Sequence, residues 1–177
     1  MLLAVIAPLL VTCHLSTSPA CEFSQPPNIR TGMLQEDFVE LTQRSPTFRR
    51  QCARIAASPV LRVTLNVGTI LDPHARAQTI ISRYDAGGIR ADITLRFGED
   101  YLELLAHEFE HVIEQIDRIN LSDEVAKGRA WRSPSGAFET RRAFDAGIRA
   151  REEYEALAPD AVHLDPSKAA ARKPPFD

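Results

Sequence analysis

Apolar residues recur at two different periods along this chain, and each change of period marks a boundary between elements. Over residues 36–44 the spacing is that of a short amphipathic helix. Ser45-Pro46 then has the form of an N-cap followed by a first helical residue, opening a second helix to about residue 57 with Phe48, Cys52 and Ile55 on one side. From Val60 the period falls to two: Leu61, Val63, Leu65 and Val67 alternate with Arg62, Thr64 and Asn66, as in a half-buried strand. Residues 77–84 form a second, less regular strand candidate, closed by the turn Asp85-Ala86-Gly87-Gly88. The clearest alternation follows, Ile89, Ala91, Ile93, Leu95 and Phe97 against Arg90, Asp92, Thr94 and Arg96, and Gly98 ends it.

The helical period then returns. Leu102, Leu105, Phe109, Val112, Ile116 and Ile119 form one apolar stripe on a helix over 99–119. Residues 120–136, with Asn120, Gly128, Ser133, Pro134 and Gly136, make a connection holding one short helix at 122–127. A last helix is expected over 136–157, and a flexible, proline-rich tail over 158–177. The order predicts an α+β domain over 21–157, a small antiparallel sheet with helices on one side.

The first twenty residues stand apart. Leu2 to Val11 is an apolar run of the length of a secretory signal core, followed by the small-residue cleavage site Ser18-Pro19-Ala20. Export to the periplasm or outside the cell is therefore expected, with residues 1–20 removed. A lipid anchor is the alternative fate, since Leu10-Val11-Thr12-Cys13 approaches a lipobox. Cleavage would leave Cys21 and Cys52, which either pair across an oxidising compartment or leave Cys52 a buried thiol. A net charge of -3 without any basic run gives no support to a nucleic-acid partner. No apolar run reaches the length of a transmembrane span.

Chemistry enters through the helix over 99–119, which carries His107-Glu108-Phe109-Glu110-His111, an H-E-x-x-H pattern. Residues four apart lie nearly above one another on a helix, so His107 and His111 point the same way and can share one cation. Glu108 lies about a quarter-turn aside, placed to take a proton from a water rather than to ligate. The apolar stripe is centred opposite the histidines, so the helix buries one side and shows them on the other. The competing description is a solvated face of Asp100, Glu103, His107, Glu110, His111 and Glu114, and Glu110 favours it by placing a charge between the histidines.

A catalytic zinc takes three protein ligands. In the longer frame H-x-x-G-x-x-D, Asp117 occupies the last position, but Glu114 stands where the helix-breaking glycine belongs. On an unbroken helix Asp117 is about 80° off the histidine line and about 9 Å along the axis, out of reach. Glu114 is better placed to brace His111. Glu139 is the remaining candidate, at the head of a row with Ala143, Ala146 and Ala150 whose small side chains would let two helices approach closely. Asp145 and Arg142 are candidate supporting groups. The alternative for Glu139 is a surface ion pair with Arg141 or Arg142.

Residues 89–150 together resemble the gluzincin group of zincin metallopeptidases: an edge strand, an H-E-x-x-H helix, then a helix bearing a glutamate ligand. The resemblance implies Zn2+ held by His107, His111 and Glu139, Glu108 as general base, a peptide or protein substrate, and peptide-bond hydrolysis. It also implies a His or Tyr that stabilises the oxyanion, for which Tyr154 and His163 are the nearest candidates. Ala143 stands where some members carry a further acid. A metal-binding or protein-interaction module without catalysis is the alternative function.

Overall fold

The computed structural model describes residues 25–157, apart from 86 and 135. The expected signal peptide, Cys21, the tail and His163 lie outside the described residues. The chain runs β1 (Ile29–Arg30), a single 3-10 turn (Gly32–Leu34), α1 (Gln35–Arg44), α2 (Pro46–Ala56), β2 (Leu61–Gly68), β3 (Ala77–Arg83), β4 (Ile89–Arg96), α3 (Tyr101–Ile116), α4 (Leu121–Ala126), β5 (Ala130–Arg132), β6 (Phe138–Thr140) and α5 (Arg141–Ala156). The architecture is α+β. Among the described residues no helix is long and apolar enough to cross a membrane.

Local chemistry explains most boundaries. Ser45 caps α2 by accepting from the Phe48 N–H at 3.0 Å, with Pro46 next to it. Asp100 caps α3, its side chain accepting from the Leu102 N–H at 3.2 Å. That helix ends three residues before the apolar stripe does. Arg118 takes a φ of 54° and the Ile119 N–H closes back on the Glu114 carbonyl at 2.9 Å, a left-handed stop.

The main sheet has the order β1-β2-β4-β3 and is mixed, which corrects the antiparallel expectation. β2 and β4 are parallel from Leu61↔Ile89 to Gly68↔Arg96, and β1 joins β2 in parallel as well. β3 alone is antiparallel, pairing with β4 from Ala77↔Leu95 to Arg83↔Ile89. The physical reason lies in burial. β4 has a fully buried inner row, Ala91, Ile93 and Leu95, so it takes the place between two strands. The inward residues of β3 are only half-buried and suit the rim. The edge strand beside α3 is thus β3, whereas the sequence resemblance gave that role to the strand now seen as β4.

The core fills the space between this sheet and the helices. Leu61, Val63 and Leu65 of β2 and the inner row of β4 meet Phe38 and Leu41 of α1, Phe48 and Ile55 of α2, and Leu105, Phe109 and Val112 of α3. Phe48 stands between Phe38 and Phe109, with ring centroids 5.3 and 4.9 Å away. Cys52 is buried in this core with no disulfide partner among the described residues, and burial pushes its pKa up to about 12. The outer sheet face is polar, with Arg62, Asn66 and Arg90 exposed.

A second, two-stranded sheet pairs β5 with β6, Trp131 opposite Glu139. Its strands occupy residues expected in the connection and in the first turn of the last helix. Thr140 has extended backbone (φ -125°, ψ 148°) and its side chain accepts from the Ala143 N–H, so α5 cannot begin before Arg141. Glu139 consequently lies on a strand, not on a helix. The stripe that α5 buries is Ala143, Gly147 and Ala150 rather than one containing Ala146.

Candidate metal centre

α3 turns its apolar side to the core and brings His107 and His111 to the opposite side, where their Nε2 atoms are 3.2 Å apart. β6 delivers Glu139 to the same point. Its Oε2 is 3.1 Å from His107 Nε2 and 3.6 Å from His111 Nε2. Ligand bonds of about 2.0–2.1 Å in a tetrahedral arrangement require ligand atoms about 3.3–3.4 Å apart. The observed triangle straddles that value, so His107, His111 and Glu139 could hold one metal ion. The donor set, two imidazoles and one carboxylate, suits a borderline cation such as zinc.

Behind the triangle, a chain of hydrogen bonds fixes His111. Glu114 is 1% exposed, and its two oxygens are used differently. Oε2 accepts from His111 Nδ1 at 2.9 Å, and Oε1 accepts from the Thr140 hydroxyl at 2.6 Å. Thr140 Oγ1 in turn accepts from the Ala143 N–H at 3.0 Å. A carboxylate can only accept here, so Nδ1 carries the proton and Nε2 faces the triangle.

The carboxylates also shape the charge. Burial disfavours a charged His111, but its hydrogen bonds to Glu114 and Glu139, with the charge of Glu108, outweigh that and push its pKa up to about 10. For Glu139, burial favours the neutral acid, yet the two histidines hold its pKa down to about 2. Both shifts come from pairing carboxylates with imidazoles, so the cluster favours a positive charge on His111.

Glu108 is 5% exposed and borders the same cleft, a groove of about 840 Å³ with α3 as its floor. One wall is β3 and the loop before it; the other is the β5–β6 hairpin and Phe144 of α5. The Thr79 hydroxyl of β3 donates to Glu108 Oε2 at 2.5 Å. His74 also borders this cleft. Its loop is pinned by Arg96, which donates to the Asp72 carbonyl at 2.6 Å and the Ala75 carbonyl at 2.8 Å. Sequence reasoning missed both Thr79 and His74: neither belongs to a motif, and only the β3–β4 pairing brings that segment alongside α3.

Other residues singled out in the sequence lie elsewhere. Glu110 points away from the cleft, accepting from Gln51 Nε2 at 2.6 Å and pairing with Arg142. Its charge between the two histidines is thereby reconciled with the site. Asp117 binds Arg54 at 2.5 Å and Arg142 at 2.8 Å, away from the triangle. Arg142 therefore ties α5 to α3 and orients no ligand, and Asp145 pairs with Arg141 at 3.2 Å. Tyr154 donates to Glu40 at 2.7 Å on the α1 side, which removes it as an oxyanion donor. A second groove, about 670 Å³, lies behind α3 and is rimmed by arginines; Arg54, Arg129, Arg141 and Arg142 there already face carboxylates.

No family model, curated protein or solved structure matches this chain.

Proposed function

We propose that this chain is a zinc-dependent metallopeptidase of the gluzincin kind, exported from the cell and acting on a peptide or protein substrate. The observation that carries the reading is the conjunction of a metal-sized triangle with a separate, cleft-bordering carboxylate. A purely structural site has no use for Glu108 at that place. Bound zinc would supply Lewis acidity, polarising a carbonyl and bringing the pKa of a water towards neutrality.

The chain's own residues do the rest. Glu108 accepts a proton from the attacking water as its oxygen bonds to the carbonyl carbon. The same carboxyl then returns the proton to the amine nitrogen as the C–N bond breaks, so no net proton is consumed in the step. Glu114 keeps the His111 ring oriented throughout. The groove lined by β3, α3 and the β5–β6 hairpin is where the substrate would lie.

Elemental analysis tests the ligand set first: about one zinc per chain is expected for the wild type, much reduced in Glu139→Ala. Glu108→Gln should keep the zinc and lose hydrolysis of a denatured-protein substrate by about a hundredfold or more. Hydrolysis surviving in Glu108→Gln removes the general-base assignment. Stoichiometric zinc with no hydrolysis by the wild type leaves the non-catalytic metal-binding module instead.

A further inference from the structure

β3 turns Ala77, Thr79 and Ile81 inward, beside the buried row of β4. Thr79 is the one hydroxyl among those three, and a polar group on an apolar face must find a partner. It finds Glu108 Oε2 at 2.5 Å, and among the described residues no other side-chain hydrogen bond reaches the Glu108 carboxylate. The donor is well fixed. A β-branched side chain on a strand has few χ1 choices, and Thr79 sits mid-strand opposite Ile93 in an unbroken antiparallel register. Glu108, in contrast, is a three-torsion side chain whose helix says nothing about where its second oxygen points.

We infer that Thr79 is the positioning residue of the general base. It holds Glu108 by Oε2 and so presents Oε1 to the space beside His107, His111 and Glu139. The inference rests on the metallopeptidase reading, and it adds a part that the H-E-x-x-H pattern does not contain: the base is aimed by the sheet, not by its own helix. The plainer alternative is that Thr79 merely satisfies a buried carboxylate. The two differ in one respect. A positioning role vanishes when Glu108 is no longer a base, whereas a packing role does not.

The experiment uses the full chain loaded with cobalt, read by visible absorption, as wild type, Thr79→Val, Thr79→Ser, Glu108→Gln and the Thr79→Val/Glu108→Gln double variant. Two probes are titrated. Acetohydroxamate chelates the metal and gains affinity from a hydrogen-bond acceptor beside it; azide binds the metal and has no proton to give one. Thr79→Val should keep one metal per chain and wild-type azide affinity while binding acetohydroxamate about tenfold more weakly, the loss of one charge-assisted hydrogen bond. Thr79→Ser should restore the affinity, and Thr79→Val should change nothing further in the Glu108→Gln background. With zinc and peptide substrate, kcat of Thr79→Val should fall with KM unchanged. Unaltered acetohydroxamate affinity in Thr79→Val, or the same tenfold loss on top of Glu108→Gln, overturns the inference; Thr79→Ala serves in its place should the valine variant not fold. Failure of the underlying reading is distinguishable in the wild type alone, which would then take up neither cobalt nor zinc, or would hold zinc and hydrolyse nothing, and the inference would fall with it.

Discussion

A glycine in the middle of a 16-residue helix calls for a reason, because Gly costs about 1 kcal/mol there relative to Ala. At Gly147 the reason is contact. A methyl group at that position would lie 3.0 Å from the Glu103 carbonyl oxygen and 3.3 Å from His107 Cβ. The first neighbour is α3 backbone, which cannot swing aside, so α5 has to retreat by a few tenths of an ångström. Overpacking of this kind costs about 1–3 kcal/mol, against the ~1 kcal/mol gained in helix propensity. Gly147→Ala should therefore destabilise the fold by about 0–2 kcal/mol, read as a lowered midpoint in urea denaturation. The larger effect should fall on metal. α5 follows Glu139 by two residues, and His107 is the very side chain the new methyl presses. A shift between them opens the 3.1 Å edge of the triangle, and zinc affinity in a competitive chelator titration should drop about tenfold. Ala146→Gly on the same helix is the control: it should lose about 1 kcal/mol of stability while keeping zinc affinity. A Gly147→Ala protein that is more stable than wild type and binds zinc equally well would show that the two helices have slack at this point, and the reasoning would fail.

Two further outcomes follow from the hydrogen-bond network. Thr140→Val removes the N-cap of α5 and the donor to Glu114 together, so about 2–4 kcal/mol of stability and about 10–100-fold in zinc affinity should be lost, checked by the same two titrations. Glu153 is pulled two ways: burial raises its pKa, but the Ser45 and Thr47 hydroxyls and the Thr47 N–H hold it below the ordinary carboxylate value. Its contribution is present above about pH 4.5 and lost as the pH falls through the depressed folded value, so Glu153→Gln should flatten the acid limb of a stability-against-pH curve measured by thermal melting.

The pattern of apolar positions located α2, β2, β4 and α3, because each carries a full amphipathic period and a cap or breaker at its end. It misjudged the sheet because strand order is not a local property. Alternation in Ile89–Leu95 marks a strand with one buried face but does not say that it has a neighbour on each side. In the site, His107 and His111 were legible since one helix fixes their relation, and the Nε2 atoms do lie 3.2 Å apart. Glu139 was found through a stripe of small residues that supposed a helix starting five residues too early. Thr140 caps α5 by accepting from the Ala143 N–H, but with Ala rather than Glu or Gln three residues on it carries only half of the capping pattern, and the residues before it also suit a helix. Thr79 and His74 left no local signal, as their place depends on β3 lying at the rim.

The position of Glu139 on a strand also changes how fold and site depend on each other. A two-stranded sheet of three residues a side is marginal by itself. Here its second strand is clamped by consecutive residues, Glu139 to the two histidines and Thr140 to Glu114, and the next residue begins α5. The hydroxyl of Thr140 thus links the brace of His111, one candidate ligand, to the first turn of the helix on which a methyl at Gly147 would press His107, another. A ligand on a helix would owe its position to that helix alone. One on β6 owes it to α3, α5 and the hairpin at once, so whatever the triangle binds also holds those three elements together. The site is therefore a joint of the domain, and that is why substitutions such as Gly147→Ala and Thr140→Val, which remove no ligand, are expected to register in metal affinity.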